Sequence, residues 1–220
     1  MNLPSLIGKS FLKIYQTFPQ LIPFFGIYYG LLTVNYWLLA FGISAIFSNV
    51  SNKAVKTIMK LIYNASGNKT LPVLGLGGRP KDARDCSAFT HCDTCHLRPK
   101  SFGMPSGHSQ MGWFFFAYGI LYLANHVLKA LTGTGEDKIN KVPAQIWFIV
   151  GSCFLFVMAV TLSYSRVYLS CHTVQQVVLG GFFGLGFGVL SYWVSQIVIE
   201  GDDSLKFLHN FRNLFEINEN

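Results

Sequence analysis

Residues 142–199 read VPAQIWFIVGSCFLFVMAVTLSYSRVYLSCHTVQQVVLGGFFGLGFGVLSYWVSQIVI, and Arg166 is the only charged side chain among them. The stretches on either side, Val142–Ser165 and Val167–Ile199, can each hold the ~20 apolar residues with which a helix crosses ~30 Å of hydrocarbon. Backbone groups left unpaired in lipid are costly, so such stretches cross a membrane as helices. The sequence therefore predicts two consecutive spans joined by a short turn.

Two further stretches, Ile14–Asn52 and Ser101–Leu128, contain no charged residue. They predict a first span within Leu21–Phe47, as one helix or two, and a second span from Pro105 to about Leu131. With 51% hydrophobic and 12% charged residues and a mean hydropathy of +0.38, a solvated globule is excluded. The predicted fold class is all-α, a polytopic transmembrane helical bundle with an active site at one membrane face.

The chain divides into three segments on this interpretation. Residues 1–20 are predicted to form an interfacial N-terminal segment, residues 21–200 the membrane domain and residues 201–220 a polar tail. Within the membrane domain, Ser51–Tyr63 carries three lysines at helical spacing, which is typical of an amphipathic continuation near lipid headgroups. Glycines of the last span are expected to let helices approach closely; they are Gly180, Gly181, Gly184, Gly186 and Gly188.

Alternating helix directions bring three separated segments to one face of the membrane. The chain crosses the membrane in the span that starts at Ser106 and crosses back in the next span. The start of the first span therefore lies on the same face as the turn that follows Ser165. The polar loop between residues 64 and 100 lies on that face too. We therefore expect Arg79-Pro80, Pro105–His108 and Ser165–His172 to converge.

The converging residues suit phosphate chemistry. Arg79 and Arg166 are permanently charged, forked donors for phosphate oxygens. Ser106 and Gly107 lie at a helix start, where unpaired N–H groups favour an anion. Two histidines, His108 and His172, can divide leaving-group protonation from nucleophilic attack. No carboxylate cluster with magnesium-binding spacing accompanies them, so we expect neither a metal nor another cofactor.

At these residues the sequence resembles the type-2 phosphatidic acid phosphatase and vanadium haloperoxidase superfamily. That family carries K-x6-R-P, P-S-G-H and S-R-x5-H, and the second and third patterns are intact here. The resemblance implies a metal-independent phosphoric ester hydrolase in which His172 attacks phosphorus and His108 protonates the leaving oxygen. It further implies that the phosphoryl group is held by Arg79, Ser106, Gly107 and Arg166.

Two positions depart from the family pattern. Pro72 occupies the position of the first-motif lysine, for which Lys69 or Lys81 are possible substitutes. Arg98-Pro99 is a rival to Arg79-Pro80, but it leaves little chain to fold back before Pro105, so Arg79 is favoured. The second departure is Gln176, where many members have an aspartate that orients the nucleophilic imidazole. Its carbonyl oxygen, one turn after His172, can accept the imidazole N–H.

The residues around both histidines also resemble dolichyl-diphosphatases, which makes a polyprenyl diphosphate the favoured substrate and phosphatidate the next. A membrane lipid phosphate is the expected partner, and nucleic acid is not expected. A non-catalytic transport or structural protein with the same bundle, or a phosphatase for a soluble sugar phosphate, are the alternatives.

The cysteines and the N-glycosylation sequons indicate which cellular compartment the active site faces. His91–His96 contains a C-x-x-C-H string that suits haem attachment or zinc, but a loop disulfide involving Cys86, Cys92 or Cys95 is the favoured interpretation. Cys153 is expected to lie in the core, and Cys171 is expected to serve packing. N-glycosylation strings at Asn49, Asn64 and Asn68 favour a lumenal active site in the endoplasmic reticulum or another endomembrane.

Overall fold

The structure is a computed structural model that describes residues 3–67, 78–80, 83, 102–132 and 141–200. Within these ranges every regular element is an α-helix. The all-α fold class predicted from the sequence is confirmed. The helices are α1 (Leu3–Leu32), α2 (Tyr36–Ala65), α3 (Gly107–Thr132), α4 (Lys141–Tyr168) and α5 (Val174–Glu200).

Three of the helices are long and apolar enough to cross a membrane, namely α2, α4 and α5 over Tyr36–Ala65, Gln145–Tyr168 and Val174–Ile199. Their outward faces are rich in exposed large apolar side chains, such as Trp147 on α4 and Ile197 on α5. Contiguous exposed apolar surface of this kind suits lipid contact better than water. The assignment of α3 as a further span remains a prediction.

The first charge-free region folds as two helices. A tight turn at Thr33–Asn35, with Val34 at a φ of 49°, reverses the chain after α1. Asn35 then caps α2 by accepting the Leu38 N–H at 3.1 Å. No break occurs at Gln20, since α1 is continuous from Leu3 to Leu32.

The amphipathic continuation predicted at Ser51–Tyr63 is the last part of α2, which is a single helix of 30 residues. At 1.5 Å per residue such a helix is about 45 Å long and exceeds the ~30 Å hydrocarbon layer. Backbone propensity and packing against the rest of the bundle continue the helix through the lysines. The last turns of α2 therefore extend beyond the apolar layer.

Helix α3 lies at the centre of the bundle, where its aromatic side chains fill the space between α2 and α5. Phe114 is fully buried, and its ring stacks against Phe41 of α2 at a centroid distance of 5.7 Å. Tyr118 lies edge-on to Tyr192 of α5 at 5.8 Å. These rings supply much of the buried apolar area that holds the helices together.

Glycines on one stripe of α5 allow it to lie directly against the backbone of α3. A Cβ added at Gly180 would lie 2.5 Å from the Ser106 carbonyl oxygen, and one at Gly188 2.7 Å from that of Phe114. Gly184, between them, would overlap the Gln110 carbonyl oxygen. Gly186 lies off this stripe and has no neighbour within 4 Å among the described residues. The prediction of close helix approach is confirmed for the stripe but not for Gly186.

We expect Gly184→Ala to destabilise the protein by about 1–3 kcal/mol, the usual cost of overpacking, because α3 and α5 must separate. Gly186→Ala is the matched control, since its methyl group meets open space and alanine favours a helix. Thermal unfolding in detergent should show a lower Tm for the first variant and an unchanged or higher Tm for the second. Equal Tm values would contradict the close approach described here.

Candidate active site

The P-S-G-H motif forms the start of α3, as predicted. Helix α3 begins at Gly107, and the Ser106 carbonyl accepts the first helical N–H, from Gln110, at 3.0 Å. The Ser106 N–H donates to the Gln176 carbonyl of α5 at 3.0 Å. Ser106 is fully buried, and its Oγ has no hydrogen-bond partner among the described residues. A buried hydroxyl without a partner is unusual and is satisfied if a ligand oxygen binds beside it.

Polar side chains in the first turn of α3 bind the neighbouring helices. Ser109 donates its hydroxyl to the Val177 carbonyl of α5 at 2.7 Å and lies 3.0 Å from Ser163 Oγ of α4. Gln110 donates to the Ser48 carbonyl of α2 at 2.8 Å and accepts from Asn52 Nδ2 at 2.7 Å. Each bond is buried, where a broken hydrogen bond is most costly. This turn is therefore fixed to three helices.

The S-R-x5-H motif spans the end of α4 and the turn into α5. The Arg166 carbonyl accepts the N–H groups of both Cys171, at 3.0 Å, and His172, at 3.2 Å. Ser170 adopts the left-handed conformation, with a φ of 56°, which reverses the chain at the helix end. Arg166 itself is fully buried, with its Nε 3.2 Å from Ser165 Oγ. The turn therefore places His172 beside the arginine.

Hydrogen bonds determine which nitrogen of the His172 ring carries the proton. The Gln176 amide nitrogen donates to the Gly78 carbonyl at 3.2 Å, so its oxygen faces His172 Nδ1 at 3.1 Å. On the other side of the ring, Arg79 Nη1 lies 3.4 Å from Nε2, and a guanidinium can only donate. The imidazole is therefore protonated on Nδ1, and Nε2 keeps its lone pair.

Arg79 reaches this turn from the segment before α3. Its Nη1 donates to the Cys171 carbonyl at 2.9 Å. Its side chain also packs over Gly103, where an added Cβ would lie 2.9 Å from the arginine Cγ. The structure thus brings Arg79 to the two histidine motifs, whereas its rival Arg98 lies outside the described residues.

The predicted site residues come together at one end of the bundle. His108, in the first turn of α3, is partly exposed and close enough to His172 for their charges to interact. Gly107 faces Asn52, whose Oδ1 would lie 3.1 Å from a Cβ at that glycine. The proposed replacements for the first-motif lysine, Lys69 and Lys81, lie outside the described residues.

Burial and neighbouring positive charge keep His172 neutral. Burial lowers the pKa of His172 well below its ordinary value, and Arg79 and then Lys56 lower it further by like-charge repulsion. Gln176 opposes this effect through its hydrogen bond. A neutral imidazole with a free Nε2 lone pair is the reactive form of a histidine nucleophile.

The charged side chains near the site are positive within the part of the chain that the structure describes. Apart from Glu200 at the far end of α5, the described ranges contain no aspartate or glutamate. Those same ranges hold no group of three or more histidine, cysteine, aspartate or glutamate side chains placed to bind a metal. Among the described residues, the charged side chains near His172 are thus positive, which suits an anionic ligand.

Cys171 is disulfide-bonded, so the prediction that it serves only packing is wrong. Cys153 is a free thiol and is exposed, so the prediction that it lies in the core is wrong. The partner of Cys171 lies outside the described residues. Sequence reasoning grouped Cys86, Cys92 and Cys95 because they are adjacent in the chain. A bond to a residue beside the histidine depends on the folding of the chain and has no signal in the spacing.

Sequence reasoning also missed the supporting residues Asn52 and Gln110 and the cation Lys56. Asn52 and Gln110 are strongly polar residues in apolar helices, which is the signal that could have found them. Lys56 was grouped with Lys53 and Lys60 as a headgroup contact, but those two are exposed whereas Lys56 is partly buried. Its charge acts on both Arg79 and His172.

Two histidines and two arginines, of which Arg166 is fully buried and Arg79 partly buried, come together at one end of the membrane helix bundle. Residues 33–199 match the PAP2 superfamily. Since this match covers most of the chain, the protein belongs to the PAP2 superfamily. No solved structure matches the chain.

The curated relatives that the chain matches are named as dolichyldiphosphatases or as a lipid phosphate phosphatase. The chain is 34% identical to dolichyldiphosphatase 1 of Dictyostelium discoideum over 102 residues, which is 46% of this chain and 39% of the relative. It is 40% identical to dolichyldiphosphatase 1 of Homo sapiens over 83 residues, 38% of this chain and 32% of the relative. Lipid phosphate phosphatase gamma of Arabidopsis thaliana is 32% identical over 119 residues, 52% of this chain and 42% of the relative. The matches thus span less than half the length of these relatives.

The role of Gln176 predicts how activity depends on pH. In Gln176→Glu, a carboxylate beside Nδ1 favours the imidazolium and raises the pKa of His172. As the pH falls, the neutral imidazole is therefore protonated at a higher pH than in the wild type. The acidic limb of kcat/KM should therefore move to higher pH than in the wild-type chain, in which the pKa of His172 is lowered well below its ordinary value. Gln175→Glu, one residue away and exposed, is the control. Identical acidic limbs in all three proteins would refute this role.

The disulfide of Cys171 predicts the outcome of peptide mapping without reduction. The peptide that contains Cys171 should be found linked to one that contains Cys86, Cys92 or Cys95, because Cys153 is a free thiol. Cys153 should react with a thiol reagent after unfolding, which makes it the internal control. Recovery of unlinked Cys171 from protein kept in its native membrane would disprove the bond.

Proposed function

We propose that this protein is an integral-membrane phosphatase that hydrolyses a lipid diphosphate, with a polyprenyl diphosphate as substrate, through a phosphohistidine on His172. The observation that carries the proposal is the state of His172. Its Nδ1 proton is bonded to Gln176 and its Nε2 lone pair faces Arg79, among cations that the described residues do not neutralise. An imidazole held in this way is suited to attack phosphorus.

In the first step, Nε2 of His172 forms a bond to phosphorus while the bond from phosphorus to the leaving oxygen breaks. Arg79, Arg166 and the N–H groups at the start of α3 bind the phosphoryl oxygens and stabilise the charge of the transition state. His108 donates a proton to the leaving oxygen. In the second step a water molecule attacks the phosphohistidine, and His108 takes the proton of that water. Phosphate then leaves, and both histidines return to their starting forms.

The substrate assignment is supported by the lipid-facing surface and by the relatives. Leu179, Phe183 and Leu190 of α5 are among the residues that line an apolar groove on the outer surface of the bundle. Such a groove accommodates a hydrocarbon chain but does not distinguish a prenyl from an acyl chain. Two of the relatives described above are named dolichyldiphosphatase, which favours a polyprenyl diphosphate over phosphatidate.

We further propose that the active site faces the lumen of the endoplasmic reticulum or of another endomembrane compartment. The disulfide of Cys171 lies next to the nucleophile, and disulfides persist in oxidising compartments rather than in the cytosol. The sequon at Asn64 lies on the exposed last turn of α2, at the same end of the bundle. Both features fit an active site that faces away from the cytosol.

The purified protein should release phosphate from a polyprenyl diphosphate in the presence of EDTA, because positive side chains supply the charge stabilisation. Vanadate should inhibit, since it adopts a trigonal-bipyramidal form that resembles the transferring phosphoryl group. Phosphatidate, a polyprenyl monophosphate and a sugar phosphate complete the substrate panel. Activity that is lost in EDTA and restored by magnesium would contradict the mechanism.

Variants of the two histidines test their roles. His172→Ala should form no phosphoenzyme in a single turnover. In the same single-turnover measurement, His108→Ala should slow phosphoenzyme formation far more with an alkyl phosphate than with an aryl phosphate, whose leaving group departs without a proton. His126→Ala, toward the other end of α3, is the control. A phosphohistidine in His172→Ala, or equal slowing of phosphoenzyme formation with both substrates in His108→Ala, would show that the roles are assigned wrongly.

A further inference from the structure

We propose that Lys56 is a phosphate-binding residue of this site and takes the place of the lysine that is missing from the first motif. The family pattern supplies that lysine seven residues before the motif arginine, where this chain has Pro72. Lys56 comes from a different element, the helix α2. The inference rests on the proposed phosphatase function and adds a binding residue to it.

The antiparallel packing of α2 and α3 sets the position of Lys56. Ser48 and Asn52 of α2 both bond to Gln110, and Asn52 also faces Gly107 at the start of α3. Further along α2, the Tyr63 ring lies 5.7 Å from that of Phe102, before the motif. Residues later in α2 thus face residues earlier in the chain at the start of α3, as in antiparallel helices. Lys56, between these contacts, lies level with the residues immediately in front of the α3 N-terminus.

The helical phase of α2 turns Lys56 towards the site. Ser48, Asn52 and Lys56 are spaced by four residues, so they follow one another on the same face. The first two are buried against Gln110, and Lys56 is partly buried. Lys53 and Lys60 lie on other faces of the helix and are exposed. Of the three lysines in this segment, only Lys56 is directed into the bundle.

The charge of Lys56 belongs to the cluster around the nucleophile. It interacts electrostatically with the guanidinium of Arg79 and with the His172 ring. Like charges repel, and the described ranges around the site provide no carboxylate to offset them. The buried Ser106 Oγ, which has no partner among the described residues, adds a hydrogen-bond donor for a phosphate oxygen to these cations. A bound phosphate converts the repulsion into attraction.

Lysine suits this position because its ammonium is a compact charge with three donors on a flexible stem. It comes from α2, whereas Arg166 comes from α4. Binding of one phosphoryl group by cations from three separate segments fixes its orientation for attack by Nε2. Lys56 would therefore act on substrate binding and on the transition state, but would not take part in proton transfer.

The test compares Lys56→Met, Lys56→Arg and the exposed control Lys60→Met in the purified full chain. We expect Lys56→Met to raise the inhibition constant of inorganic phosphate by roughly tenfold or more, as loss of a charge-assisted hydrogen bond predicts. Lys56→Arg should restore part of this affinity, and Lys60→Met should match the wild type. Vanadate should raise the Tm of the wild type and of Lys60→Met more than that of Lys56→Met.

The Tm without ligand separates a binding role from a structural one. Removal of one of several like charges should leave the Tm of Lys56→Met unchanged or higher, whereas loss of a structural contact would lower it. A phosphate inhibition constant equal to that of the wild type, or a lower Tm in both Lys56→Met and Lys56→Gln, would overturn the inference. His172→Ala serves as the reference variant. If it is inactive while Lys56→Met behaves as wild type, the Lys56 inference alone fails; if it remains active, the proposed function fails.

Discussion

The hydrogen bonds made by the first turn of α3 are the constraint on which the rest of the site depends. The Ser106 N–H is bonded to α5, Ser109 to α4 and α5, and Gln110 to α2. These bonds lie in an apolar bundle, where a polar group without a partner is costly and the geometry is therefore strongly specified. Rings such as Phe114 and the glycine stripe of α5 bring the helices close enough for the bonds to form.

The buried charge of Arg166 dominates the electrostatics of the site that these hydrogen bonds hold together. Full burial of Arg166 is unfavourable unless its charge is compensated. Among the described residues, its Nε donates to the Ser165 hydroxyl at 3.2 Å, and the carboxylate of Glu200 lies at the far end of α5. An anion bound at the site would compensate the buried charge further and stabilise the folded protein.

Sequence predicted the parts of the site that depend on local chemistry. The start of α3 at Gly107 and the turn between Arg166 and His172 follow from motifs in which spacing along the chain equals proximity in space. Lys56 could not be chosen in this way, because three lysines at helical spacing differ only in which face of α2 is covered. That face is defined by Gln110, which is more than fifty residues away in the chain. The bond of Cys171 is hidden for the same reason, since cysteine spacing does not report pairing across the fold.

In the proposed mechanism the two histidines need opposite protonation states. Burial, Arg79 and Lys56 all disfavour the charged form of His172, which keeps its Nε2 lone pair available. At the start of α3 the helix dipole disfavours a positive charge on His108, whereas a bound phosphate favours one. His108 is partly exposed, so burial opposes its charge less than it opposes that of His172. His172, the proposed nucleophile, stays neutral because burial, the largest cause of its lowered pKa, is not removed by the charge of the ligand. The proposed roles of His172 as nucleophile and His108 as acid therefore follow from a difference in burial. The phosphate of the bound substrate favours the protonated form of His108 that the acid role requires.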